Sequence, residues 1–161
     1  MKRKLLFVAL CVVSALGFKA NAKTDVTSKY LTNANLSSLD GWTAQNITAH
    51  NTNGATNVVE FWNKNTEFCL SQNVTLPAGY YRLAVNAFYR EGLQGNGTNN
   101  DRAWIFANTT TLNVVALNSM SDLSGYEGGN DLYRAATAFS QGKFSNEFDF
   151  EMKEAGEVEI G

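Results

Sequence analysis

Alternation with a period of two dominates this chain. Between residues 81 and 89, Tyr81, Leu83, Val85, Ala87 and Tyr89 alternate with Arg82, Ala84, Asn86 and Phe88. That pattern predicts a strand with one apolar face and one mixed face. Further on, Phe144, Phe148, Phe150 and Met152 alternate with Glu147, Asp149 and Glu151, the cleanest inward–outward strand of the sequence. Shorter runs predict strands at residues 58–62, 68–75, 103–107, 112–117 and 157–160.

Turn chemistry separates these runs. Leu76-Pro77-Ala78-Gly79 sets the single proline where its fixed φ starts a turn, with glycine at the fourth position. It predicts an antiparallel hairpin between residues 68–75 and 80–90. Lys153-Glu154-Ala155-Gly156 is expected to join the last two strands in the same way. Residues 92–100 are, apart from Leu93, glycine, asparagine and other polar types, and read as a flexible loop. One helix is predicted over residues 130–142. Asn130 caps it, Asp131 suits its first turn, and Leu132, Ala135, Ala136 and Phe139 share one face before Gly142 stops it. Short antiparallel strands with one small helix describe an all-β antiparallel sandwich of jelly-roll type. Its two sheets bury their apolar faces against each other.

The first 22 residues form a separate unit. Lys2, Arg3 and Lys4 precede an apolar run from Leu5 to Phe18, and Ala20-Asn21-Ala22 follows. This is the order of a secretory signal peptide. The run is about 14 residues, short of the roughly 20 that span a bilayer. Cys11 lies inside it, but Leu10 stands where a lipoprotein signal needs a small residue. Cleavage after Ala22 leaves residues 23–161 as one domain outside the cytoplasm: secreted, periplasmic or on the cell surface. No membrane insertion is expected after cleavage.

Charge then narrows the partners. Lys2, Arg3, Lys4 and Lys19 leave with the leader, so nine basic residues face 15 acidic ones, a net charge of −6. An acidic chain without a basic cluster argues against nucleic acid. Cys69 is the one cysteine left, which excludes an internal disulfide and reads as a buried free thiol. Asn35, Asn46, Asn73, Asn96 and Asn108 head Asn-x-Ser/Thr sequons, which matter only in a host that glycosylates them.

Asn33-Ala34-Asn35-Leu36 followed by Asp40-Gly41-Trp42 resembles the opening of galactose-binding-like jelly rolls. Val59-Glu60-Phe61-Trp62, residues 76–83 and Ala87-Phe88-Tyr89-Arg90 resemble the middle of such domains. Residues 138–148 resemble a variant in secreted bacterial proteins of glycan-using systems. The resemblance spans most of residues 28–161. It implies a carbohydrate-binding-module-like fold that is usually non-catalytic, with a glycan or polysaccharide as partner. Such domains often hold a structural calcium. No contiguous Asp-x-Asp loop is present here, so no ligands are assigned and no cofactor is required. Members of the family continue past the last strand into another that pairs near the first. The end at Gly161 therefore reads as truncation of a longer protein, with residues 157–160 left as an open edge for a protein partner.

Catalysis is hard to build from these residues. His50 is the only histidine and reads as an exposed loop residue, and no nucleophile elbow, zinc set or phosphate loop accompanies it. Glu60, Glu91 and Asp101 are conceivable glycosidase carboxylates, but Glu60 reads as pointing outward. Sugar binding asks for less: a flat ring for the C–H face and fixed polar groups for the hydroxyls. Tyr89, Arg90 and Glu91 lead into the glycine loop, Asn99 lies in it, and Asp101 and Arg102 leave it. With Trp62 and Tyr126 they are the candidate ligand-binding residues. Trp42 reads as core. Trp104 reads as core-facing too, because it alternates with Phe106. The alternative function is a structural or adhesive cell-surface sandwich that contacts protein.

Overall fold

The structure is a computed structural model and describes residues 2–9, 12–13, 23–47, 50–51, 58–64, 67–91, 103–117 and 120–161. The first half of the chain contributes β1 (Lys2–Ala9), β2 (Val12–Val13), β3 (Thr24–Asp25), α1 (Thr27–Tyr30), β4 (Thr43–Gln45), β5 (His50–Asn51), β6 (Val59–Lys64) and β7 (Cys69–Leu76). The second half contributes β8 (Gly79–Glu91), β9 (Trp104–Ala107), β10 (Thr110–Asn113), β11 (Val115–Ala116), α2 (Asp131–Ser140), β12 (Ser145–Met152) and β13 (Gly156–Ile160). A 3-10 turn at Met120–Leu123 precedes α2. The chain is an all-β sandwich with a short helix, as its alternation predicts.

Among the described residues there are two sheets. The larger has eight strands in the order β3-β2-β8-β1-β6-β5, with β11 and β12 also paired to β8. The smaller has five, ordered β10-β9-β13-β7-β4. Tyr81, Leu83, Val85, Ala87 and Tyr89 turn inward from β8 and meet Val74, Leu76, Ile105, Ala107, Val158 and Ile160 of the smaller sheet. That interleaving is the core, and it follows directly from the period of two. The opposite face of β8 lies under α2. There Phe88 packs with Leu132, Ala135 and Phe139. A third cluster of Leu36, Val59, Phe61 and Leu70 closes one end, with Trp42 half-buried against it. The Trp42 indole donates to the Thr32 carbonyl at 2.9 Å.

The helix forms as its sequence predicts. Asn130 Oδ1 accepts from the Tyr133 amide at 3.1 Å. The C-terminus closes when Gly142 takes φ +71 and Lys143 donates to Ala138.

Four expectations are corrected. First, Leu76-Pro77-Ala78-Gly79 does not make a hairpin: β7 belongs to the smaller sheet and β8 to the larger. The turn is a corner between layers, and the Tyr81 hydroxyl pins it by donating to the Pro77 carbonyl at 2.8 Å. The turn before β13 crosses between layers in the same way. Second, β13 is not an open edge. It pairs with β7 over five residues and with β9 through Ile160 and Ala107. The partner site expected at residues 157–160 therefore has no free backbone edge in this arrangement. Third, Phe144 leaves the alternation of β12. Its φ of +59 turns its ring onto Phe88, 5.1 Å between centroids. Fourth, His50 lies in β5, opposite Phe61, rather than in a loop.

The segment read as a leader is also placed. β1 runs antiparallel between β6 and β8 and pairs with both.

Candidate functional site: the outer face of the smaller sheet

The smaller sheet has one buried face and one open face. Along β9, Ile105 and Ala107 are buried, so Trp104 and Phe106 point the other way. Trp104 is 52% exposed, the most open of the large hydrophobic side chains described. This reverses the sequence expectation for Trp104. Both faces of β9 are apolar, so alternation alone does not say which is inside. The paired strand settles it: Asn113 lies opposite Trp104 and Thr111 opposite Phe106, and both are exposed.

Phe106 is held by backbone. It exchanges two hydrogen bonds with Gly161, at 2.8 and 3.1 Å. A Cβ at Gly161 would meet the Phe106 ring at 2.7 Å, so the ring lies over the glycine. The missing side chain is what lets the ring lie down against the sheet.

Polar groups continue the face across β13 and β7. Glu159 lies opposite Asn73, and Glu157 opposite Thr75, all four exposed. Asn108 fixes the near end, its Oδ1 accepting from the Glu159 amide at 2.9 Å. Toward β4 the face closes: Ser71, opposite Thr43, is buried, and Cys69, opposite Gln45, is half-buried. Burial pushes the Cys69 thiol up from its ordinary pKa, and the Glu159 carboxylate adds to the shift. Cys69 is therefore a poor nucleophile on this face. Strand spacing of about 4.8 Å makes the open part, from β10 to β7, roughly 14 Å across. One indole, one half-buried phenyl ring and rows of amides, hydroxyls and carboxylates line it. This is the chemistry of a flat platform with polar contacts around it.

Of the predicted site residues, Tyr89 and Tyr126 have described side chains, and these lie on opposite faces of the larger sheet. Tyr89 is 3% exposed in the core between the sheets, so its ring is not an open platform. Its inward parity follows from alternation with Phe88, which α2 covers. Tyr126 is half-buried on the opposite face of that sheet, against the Phe88 cluster. Trp62 lies in β6 opposite Lys4, and Arg90 and Glu91 end β8 opposite Lys4 and Arg3. The side chains of Trp62, Arg90 and Glu91 lie outside the described residues, as do Asn99, Asp101 and Arg102 entirely. Glu60, read as pointing outward, is buried.

Other open features do less. Tyr80 is exposed, but a hydrogen bond with Glu151 engages its phenol and pushes its pKa up. The apolar space beside Tyr30, Leu31, Leu83 and Phe150 is small, about 30 Å³. Among the described residues no group of three or more His, Cys, Asp or Glu side chains is placed to hold a metal. Compared with protein-family models, curated proteins and solved structures, the chain matches none.

Proposed function

We propose that this protein is an exported, non-catalytic carbohydrate-binding sandwich of the galactose-binding-like kind, and that it holds a glycan on the outer face of the smaller sheet. The observation that carries this reading is Trp104, half open to solvent on β9, with Thr111 and Asn113 beside it. A sugar ring stacks its C–H face on the indole and its hydroxyls bond Asn113 and Thr111 beside it, while later units of the same glycan chain reach Glu159, which accepts from their hydroxyls, and Asn73. The sheet holds the backbone of these groups at fixed spacing, so binding costs side-chain rotamer freedom without backbone rearrangement. The acidic, amide-rich surface favours a neutral polysaccharide over an anionic one.

Affinity electrophoresis of the full chain through gels containing a series of neutral polysaccharides tests this. At least one should retard the protein. Trp104→Ala should abolish the retardation while circular dichroism stays unchanged. Truncating an aromatic anchor costs about 2 kcal/mol, roughly a 30-fold loss of affinity. Folded protein that no polysaccharide retards would refute the reading, as would a Trp104→Ala variant retarded as strongly as the parent.

A further inference from the structure

The place held by β1 has unusual surroundings. β6 and β8 are both antiparallel to β1, so they run parallel to each other with one strand's width between them. Register rows cross that gap. Val59, residue 7 and Ala87 form one row; Phe61, residue 5 and Tyr89 form another. Val59, Phe61 and Ala87 have no exposure, and Tyr89 is 3% exposed. The walls of the gap are therefore core. If residues 1–22 are removed on export, two rows of core and the facing backbone edges of β6 and β8 are uncovered together. Unpaired backbone beside uncovered core is costly. The other described strands already hold places in the two sheets, so among the described residues none is free to move in.

We propose that the space between β6 and β8 is a strand-accepting slot, filled after leader removal by an extended segment of another polypeptide. The donor runs antiparallel to both neighbours. It has at least six residues, no proline, and apolar residues at the two alternate positions that face Val59/Ala87 and Phe61/Tyr89. Main-chain hydrogen bonds on both sides give the affinity, and those two positions give the selectivity. β1 shows the geometry such a strand adopts. The slot is a second binding function, separate from the face around Trp104. It rests on the export reading only for how it is emptied.

The test starts from the full chain carrying a specific protease site between residues 14 and 22. After cleavage, a fluorescein-labelled peptide of residues 2–13 with Cys11→Ser is added. The peptide should displace the leader at one per protein. It should also slow hydrogen exchange at residues 59–64 and 79–91 relative to protein stripped in mild urea. A Leu6→Pro peptide should bind at least tenfold more weakly, because a doubly paired strand has no position that spares an N–H. If the stripped protein unfolds, refolding is followed with peptide added in trans. Recovery supports the slot, and failure to recover overturns it. No peptide uptake by folded protein, or equal uptake of the Leu6→Pro peptide, also overturns it. Export is read separately from the intact mass of protein secreted by a bacterial host: an uncleaved mass refutes export and leaves the slot result standing.

Discussion

Asn146 offers the sharpest test of how the larger sheet is held. Its side chain is 3% exposed. Nδ2 reaches three carbonyls, Val85 at 3.1 Å, Ala87 at 2.8 Å and Phe144 at 2.8 Å. Oδ1 accepts from the Val115 amide at 2.9 Å. One amide thus ties β12, β8 and β11 together where the Phe144 turn interrupts regular pairing. Asn146→Ala leaves the part-buried Val115 N–H without its acceptor and takes a donor from the buried Val85 and Ala87 carbonyls, and buried polar groups that lose a partner cost about 1–3 kcal/mol. The total is about 3 kcal/mol, or a melting point lower by roughly 9 °C for a chain of this size. Asn146→Asp has the same shape but turns an acceptor toward three carbonyls. It should destabilise more than alanine at neutral pH. The folded state then favours the protonated acid, so the folded pKa lies above the unfolded value of about 3.9. The penalty is absent below that value, grows as pH rises, and levels off above the folded pKa. Urea unfolding followed by tryptophan fluorescence at pH 4 and pH 7 measures both effects. Asn146→Ala within about 0.5 kcal/mol of the parent, the ordinary surface range, would refute the reasoning. So would an aspartate variant more stable than the alanine variant at pH 7.

Two further outcomes are expected. Phe139→Ala opens the cluster in which its ring meets Phe88 at 5.7 Å and Phe144 at 6.3 Å, and should cost about 3–5 kcal/mol in chemical denaturation. The Arg82–Asp149 pair, with a bond of 2.8 Å from Nη2 to Oδ2, holds the Asp149 carboxyl below its ordinary pKa, chiefly through that side-chain bonding. Its stabilisation is present above the unfolded pKa and fades as pH falls through the lowered folded pKa. Asp149→Asn should therefore cost under about 1 kcal/mol at pH 7, and the difference from the parent should vanish in acid, by pH-dependent thermal melts.

Much of the sandwich is legible from alternation, because burial of one strand face imposes it. Tyr81 to Tyr89 and Phe148 to Met152 each turn their apolar parity inward. The helix is legible because Asn130, the 3–4 spacing and Gly142 agree. What the turns do not carry is destination. Pro77 and Gly79 dictate a reversal of direction, and a reversal serves a hairpin or a crossing between layers equally well. That is why two corners read as hairpins, and why β13 reads as an edge when it lies between β9 and β7. β9 hides its parity for another reason. Trp104, Ile105, Phe106 and Ala107 are all apolar, and only the polar partners Thr111 and Asn113 reveal the open side. Those partners were in the sequence, but their register with β9 was not. The leader is ambiguous in kind, since a short apolar run satisfies a signal peptide and a central strand alike.

The face around Trp104 can be challenged with one measurement: oxidation of tryptophan by N-bromosuccinimide, located by peptide mass, with and without a saturating polysaccharide that retards the protein. The account predicts that Trp104 is oxidised ahead of half-buried Trp42 in free protein and is shielded by the polysaccharide. Oxidation of Trp104 at the same rate with glycan bound, or a Trp104 that resists the reagent in free protein, would contradict it.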